Sequence, residues 1–276
     1  MTKFLDYLKK HPLLTAALAV AIAATTILTV PQESYWVRLV LRVLMCGTML
    51  FLLWLISGEK TLSQCSQQTW TVLKNGTGIL ILALITGVLS FLTSLKDAGG
   101  MPEGWVLRTV LLFFMFLFAC LFEELCFRAI INDAILYRFR SAKHVFFWSA
   151  LISSVIFGAV HNLGASLTSP SDWAQAALKL LQCAIIGFAF LILYWKTRNI
   201  WACGILHGLY DFLCSPGLIF MENAKIGAGT YVVAGEEASS YILFAAGDIL
   251  LCLLVMLLIW HKVGKTIDFE DLRKTW

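Results

Sequence analysis

The stretch Phe122-Glu123-Glu124-Leu125-Cys126-Phe127-Arg128 places two carboxylates and one guanidinium inside a long apolar run. A charged side chain near a bilayer centre costs roughly 2.5 to 3.5 kcal/mol on insertion scales, so these charges need partners or a function. Glu124 and Arg128 are four residues apart, and on a helix they share a face and can form an ion pair. Glu123 points about 100° away from that face and is free for another role.

The composition around this stretch predicts a membrane protein. Of the 276 residues, 59% are hydrophobic and only 14% are charged, which is typical of a polytopic membrane chain. The net charge of +4 comes mostly from connectors between apolar runs, so it reports membrane topology and does not indicate nucleic-acid binding. The eight cysteines form no C-x-x-C pair, which favours reduced thiols over a disulfide framework or a zinc ribbon.

Eight apolar segments, each of about the 20 residues that cross a bilayer, follow one another along the chain. They cover approximately residues 13–30, 35–57, 76–95, a fourth beginning near 105, 145–163, 174–194, 200–219 and 241–260. The first follows Lys3, Lys9 and Lys10, and we interpret it as an uncleaved span in preference to a secretory signal. The sequence therefore predicts an all-α polytopic membrane protein with about eight transmembrane helices, forming a single membrane domain over residues 1–276.

The basic residues predict the orientation. With the N-terminus in the cytoplasm, fourteen lysines and arginines fall in cytoplasmic connectors or tails, and only Lys96 and Lys225 fall in outside loops. Cytoplasmic loops hold the excess of basic residues in membrane proteins. We therefore expect both termini on the cytoplasmic side.

Two further polar pairs occur on later apolar segments. Phe157 and His161 lie one helical turn apart in the fifth segment, and His207 and Asp211 lie one turn apart in the seventh. If the fourth and fifth helices form a hairpin that turns near Ala142, Glu123 and His161 lie at the same depth. This arrangement requires a fourth helix longer than the bilayer, ending between residues 131 and 140.

The three motifs in this order, Glu123-Glu124-x-x-x-Arg128, Phe157-x-x-x-His161 and His207-x-x-x-Asp211, resemble the CAAX-protease and bacteriocin-processing family of intramembrane endopeptidases, in particular type II CAAX prenyl endopeptidases. The resemblance covers about residues 105 to 215 and implies a catalytic core of about 105–220. It implies hydrolysis of a peptide bond in a lipidated, hydrophobic or membrane-anchored peptide or protein within the lipid bilayer.

The resemblance also implies roles for these residues. Glu123 would activate a water molecule that His161 helps to hold, and His207 with Asp211 would stabilise the oxyanion or orient the substrate carbonyl. Burial among apolar side chains favours the protonated form of a carboxyl group, so a buried Glu123 suits proton transfer from water to the leaving amine. Glu124 and Arg128 would be a supporting ion pair, and Phe157 would pack beside the site.

The involvement of a metal stays open at this stage. Glu123, His161 and His207 are candidate ligands for a divalent metal such as zinc, but the chain contains no H-E-x-x-H pair. A metal-free, glutamate-activated water is the preferred scheme, and no cofactor is predicted with certainty.

Further charged residues lie in apolar segments outside the motifs. Asp248 in the eighth segment could pair across the bundle with Arg38 and Arg42 of the second, or these residues could line a substrate path. Lys179 could extend toward the interface or face a polar interior.

Two other classes of function are compatible with intramembrane charges. A catalytically silent immunity or scaffold protein would use the same fold to bind a partner, and an ion-coupled transporter would use the carboxylates and histidines as a pathway. A transporter should show a repeated half, and none is evident. The number of bacterial proteins in the resembled family favours a bacterial plasma membrane.

Overall fold

A computed structural model of the chain describes residues 6–8, 10–29, 34–55, 59–63, 68–221, 231–235 and 237–274. All regular secondary structure in these residues is helical, as predicted. The helices are α1 (Pro12–Thr29), α2 (Tyr35–Leu55), α3 (Glu59–Ser63), α4 (Thr69–Asn75), α5 (Thr77–Ala98), α6 (Trp105–Arg138), α7 (Val145–Val160), α8 (Pro170–Thr197), α9 (Ile200–Cys214), α10 (Glu237–Lys262) and α11 (Phe269–Lys274). A short 3₁₀ helix, Pro216–Phe220, follows α9.

Each of the eight predicted apolar segments corresponds to one apolar helix. Within the described residues, α2, α5, α6, α8 and α10 are long and apolar enough to cross a membrane, whereas α1, α7 and α9 are shorter apolar helices. The chain is therefore an all-helical polytopic membrane protein, whose described residues contain five candidate spans and three shorter apolar helices. The polar connector predicted between the second and third segments holds the short helices α3 and α4.

Helix α6 is unusually long and carries the charged stretch. Its 34 residues correspond to about 50 Å at α-helical rise, well beyond the roughly 30 Å hydrocarbon core. Residues Leu125–Asn132 in its interior form a π-helix, and all of them are buried. The predicted requirement for a fourth helix longer than the bilayer is thus met.

Helices α6 and α7 form the predicted antiparallel hairpin. The connection between them occupies residues 139–144, around the expected turn at Ala142. The Ser153 hydroxyl donates a hydrogen bond of 3.0 Å to the Phe127 carbonyl, and the rings of Phe127 and Phe157 are 5.0 Å apart. These contacts bring the end of α7 alongside the charged stretch of α6.

Helix α9 packs against α6 at very short range because two glycines face it. A Cβ atom on Gly204 would lie 2.7 Å from Leu121 Cδ1, and one on Gly208 would lie 2.9 Å from Leu117 Cα. Small residues four apart allow such close helix contact in membranes. His207 lies between these glycines and is thereby held against α6.

A polar network joins the far end of α6 to α8. The Asp133 carboxylate pairs with the Arg198 guanidinium at 2.6 Å and accepts a hydrogen bond of 2.8 Å from the Tyr194 hydroxyl. The Trp195 indole N–H donates to Asn132 Oδ1 at 2.9 Å. Buried polar groups that are satisfied in this way fix the relative position of two helices.

Candidate active site

The carboxylate of Glu124 is fully buried and has partners on both oxygens. Its Oε2 lies 3.1 Å from Arg128 Nε, so the expected ion pair is present. Its Oε1 lies 2.9 Å from His207 Nδ1. All three side chains are almost completely buried. Glu124 therefore ties the α6 ion pair to the histidine of α9, a contact that spacing within α6 alone could not reveal.

Arg128 is also held by groups from two other helices. Its Nη2 donates to the Gly187 carbonyl of α8 at 3.1 Å, and its guanidinium lies 4.4 Å from the centre of the Phe157 ring. The same ring is 4.7 Å from the His161 ring and 6.0 Å from the His207 ring. Phe157 thus packs at the centre of the cluster.

His207 is oriented by Glu124 and leaves its second nitrogen toward two other carboxylates. Nε2 lies 3.9 Å from Glu123 Oε2 and 3.9 Å from Asp211 Oδ1, both beyond direct hydrogen bonding. The imidazole stacks on Phe190 at 4.5 Å. Asp211 forms no hydrogen bond to His207, because 3.9 Å is too long, and the imidazole is instead oriented by Glu124 through Nδ1. Asp211 Oδ2 instead accepts from the Cys120 thiol at 3.3 Å.

Glu123 has a buried carboxylate oxygen with neither a hydrogen bond nor an ion pair shorter than 3.9 Å in the described structure, whereas Glu124 Oε2 is 3.1 Å from Arg128. This oxygen of Glu123 is Oε2, although the side chain as a whole keeps 20% exposure. Arg42 of α2 is close enough to interact with it electrostatically. A buried, unpaired carboxylate oxygen is costly unless it has a role, and Arg42 offsets part of its charge.

His161 is the first residue after α7 and faces the same region from another side. Its Nδ1 lies 2.7 Å from the Phe157 carbonyl oxygen. Because a carbonyl only accepts, the proton is on Nδ1 and Nε2 of the neutral ring is an acceptor. No hydrogen bond or ion pair joins the described side chains of Glu123 and His161.

A polar cavity of about 280 Å³ contains the histidines. His161, His207 and Asp211 line it together with groups from α5, α8 and α10, namely Thr86, Lys179, Gln182 and Asp248. Glu123 is not among the lining residues, and its Oε2 lies 3.9 Å from Nε2 of His207, which does line the cavity. Among the described residues, the lining therefore comes from α5, α8, α9, α10 and the end of α7, and includes none from α6.

Lys179, Gln182 and Asp248 form the polar side of this cavity away from α6. Lys179 Nζ donates to Gln182 Oε1 at 3.3 Å, and Gln182 Nε2 donates to Asp248 Oδ2. Asp248 therefore bonds to a neighbouring amide and forms no ion pair with Arg42. Lys179 faces the polar interior. The position of Lys179 and Asp248 as isolated charges in apolar segments was the sequence signal for this part of the site, whereas the uncharged Gln182 gave no such signal.

The residues around His207 include a possible metal-binding set. Ligand atoms of Cys120, His207 and Asp211 all lie within 4.8 Å of one another. Nδ1 of His207 is hydrogen-bonded to the Glu124 carboxylate, and such a bond from one ring nitrogen is found in most metal-binding histidines. Thiolate, imidazole and carboxylate are all zinc ligands. The set fits a divalent metal. It shares only His207 with the ligands expected from the sequence. It also includes Cys120, which belongs to none of the three sequence motifs.

The comparisons with known proteins agree with the motifs. Residues 104–213 match the family model described as type II CAAX prenyl endopeptidase Rce1-like. Neither a curated protein nor a solved structure matches the chain significantly. The matched segment runs from the start of α6 to the end of α9 and contains Glu123, His161, His207 and Asp211. Over residues 104–213, the chain is therefore similar to the Rce1-like type II CAAX prenyl endopeptidase family.

Proposed function

We propose that this protein is an intramembrane endopeptidase that hydrolyses a peptide bond in a lipidated, hydrophobic or membrane-anchored substrate. The observation that carries the proposal is the unused, buried oxygen of Glu123, which faces an oriented histidine inside the family-matched segment. We assign the whole chain to one membrane domain with a catalytic core of about 105–220. A bacterial plasma membrane is its proposed location.

In the proposed reaction, Glu123 is the general base. Its carboxylate takes a proton from a water molecule, and the resulting hydroxide attacks the carbonyl carbon of the substrate. Glu123 then delivers the same proton to the nitrogen of the leaving amine as the C–N bond breaks. His161 supports this step, because its Nε2 is an acceptor that can orient the water through one of its hydrogens.

His207 is the proposed oxyanion-binding group. Three carboxylates, those of Glu124, Glu123 and Asp211, lie within 3.9 Å of its ring nitrogens, and this charge favours the imidazolium. A protonated Nε2 can donate to the negative oxygen that develops on the tetrahedral intermediate. Asp211 contributes charge to this balance but no direct hydrogen bond to the ring.

A divalent metal, when bound, would be held by Cys120, His207 and Asp211 and would supply a Lewis acid for the carbonyl or the water. Glu123 is not part of that ligand set, so its role as base is the same with or without the metal. The Glu124–His207 contact orients the imidazole in either case.

The decisive experiment is cleavage of a fluorogenic prenylated CAAX peptide, and of a panel of membrane-anchored leader peptides, by the purified full chain. We expect Glu123→Gln and His161→Ala to reduce kcat by at least about 100-fold, the usual contribution of a positioned proton-transfer group. Glu103→Gln and His144→Ala are matched controls, because both residues are exposed and lie outside the cavity.

Retention of full activity by Glu123→Gln would contradict the proposal. Two observations together would favour the scaffold function instead. The folded wild type would cleave none of the peptides, and the Glu123→Gln variant would still bind them.

A further inference from the structure

An apolar groove of about 520 Å³ lies between α1, the end of α6 and α7. Representative lining residues are Leu13, Ala17, Ile135, Phe139, Val145 and Ile156. On α7 the groove extends from Val145 to Ile156, about 16 Å of helical rise. That depth is about half of the roughly 30 Å hydrocarbon core, which is the depth of one leaflet.

The turn at one end of this groove is basic. Phe139 and Ala142 line the groove, and their neighbours Arg138, Arg140 and Lys143 are exposed. The guanidinium of Arg138 lies over the Phe139 ring at 5.4 Å, and that of Arg140 lies over the Tyr137 ring at 5.5 Å. Aromatic rings leave the positive charge uncompensated.

No carboxylate of the described residues lies within 4.0 Å of these three basic groups. The adjoining helix α11 approaches the turn through Arg273, which donates to the Arg140 carbonyl at 3.1 Å. Its acidic neighbour Glu270 is 3.7 Å from Arg273 itself. Among the described residues, these three cations therefore have no acidic partner, and they lie beside a groove that is one leaflet deep.

We propose that this groove binds one anionic phospholipid, with an acyl chain between α1 and α7 and the phosphate on Arg138, Arg140 and Lys143. Basic pockets between membrane helices bind anionic head groups, and each nearby Lys or Arg adds attraction. A zwitterionic lipid would fill the apolar part equally well but would gain little from the three charges. The site is separate from the catalytic cavity and does not depend on the proposed protease activity.

The test is native mass spectrometry of the full chain with phosphatidylglycerol and with phosphatidylcholine of the same acyl chains. We expect the wild type to retain one phosphatidylglycerol molecule preferentially. Replacing Arg138, Arg140 and Lys143 together by Gln should weaken its binding by roughly 100-fold or more, given the contribution of each charge. Ala17→Phe, which fills the groove, should weaken the binding of both lipids.

A triple variant of Lys74, Lys262 and Lys265 to Gln is the matched control, because these exposed residues lie on the same predicted side of the membrane. This control should retain the preference for phosphatidylglycerol. Equal retention of the two lipids by the wild type would overturn the proposal without any variant. If the two triple variants bound phosphatidylglycerol equally weakly, the preference would come from general surface charge. That result would also overturn the proposal.

Discussion

His207 is bonded to a carboxylate through one ring nitrogen and is open on the other. The bond goes to Glu124, so the ion pair with Arg128 does more than neutralise a buried charge. It fixes the carboxylate that in turn fixes the imidazole. Arg128, Glu124 and His207 therefore form one chain of contacts, and a change in its first member should reach the last.

The contribution of these linked contacts to stability can be tested by replacing Arg128. We expect Arg128→Met to lower the free energy of unfolding by about 3 to 5 kcal/mol, because Glu124 would keep a buried and uncompensated charge. The double variant Glu124→Gln/Arg128→Met should lose less than the single variant. Reversible unfolding in mixed micelles measures both, and exposed Arg138→Met is the control. An equal or greater loss in the double variant would show that the charge pair is not the cause.

A substitution of Cys120 distinguishes the metal-free scheme for activating water from the scheme that uses a metal. In the metal-free scheme the Cys120 thiol only donates to Asp211, so Cys120→Ala should retain activity within about tenfold, the cost of one hydrogen bond from a weak thiol donor. In the metal scheme the same variant loses a ligand and with it metal content and activity. We expect the metal-free result. Elemental analysis of the purified protein, and activity after chelation and metal add-back, distinguish the outcomes.

At the scale of the helices, the contact between α6 and α9 depends on the absence of side chains at Gly204 and Gly208. A methyl group on Gly208 would lie 2.9 Å from the Leu117 backbone, so the helices would have to separate. Such a separation would move His207 away from Glu124 and Glu123. The site is thus built by helix packing as much as by its own polar contacts.

We expect Gly208→Ala to destabilise the protein by about 1 to 3 kcal/mol, the usual cost of overpacking, and to reduce activity. Gly247→Ala in α10 is the matched control, because a Cβ there meets no atom within 4 Å. The control should be neutral or slightly stabilising, since Ala is the better helix former. Thermal unfolding and peptide cleavage would be measured on both. Identical behaviour of the two variants would contradict the packing argument.

The sequence predicted the helices better than the contacts between them. Hydrophobic runs located all eight apolar helices, and the extension of α6 beyond the bilayer followed from the hairpin that brings Glu123 and His161 to the same depth. The bond between Glu124 and His207 and the place of Cys120 and Asp211 could not be predicted, because they depend on the rotation of α9 against α6. The π-helix also escaped prediction, since no residue type marks it in the sequence.

At the scale of the whole molecule, the distribution of basic residues predicts the orientation in the membrane. The turn around Lys143 should face the cytoplasm, and the connection between α7 and α8 around Ser166 should face the other side. Both positions are exposed. Single cysteines, Lys143→Cys and Ser166→Cys, should react with an impermeant thiol reagent from opposite sides of sealed vesicles. The wild type is the control for its native thiols. Labelling of both from one side would refute the topology.

The π-helical segment of α6 sets the angular relation between the two ends of that helix. One end directs Glu123 and Glu124 toward α9, and the other directs Asn132 and Asp133 toward α8. An α-helix turns by about 100° for each residue, so deleting one residue between 125 and 132 would twist one end against the other by about that angle. The two sets of partners could not then be met at the same time. The wider turn of the π-helix thus allows one continuous helix to direct Glu123 and Glu124 toward α9 and Asn132 and Asp133 toward α8 at the same time.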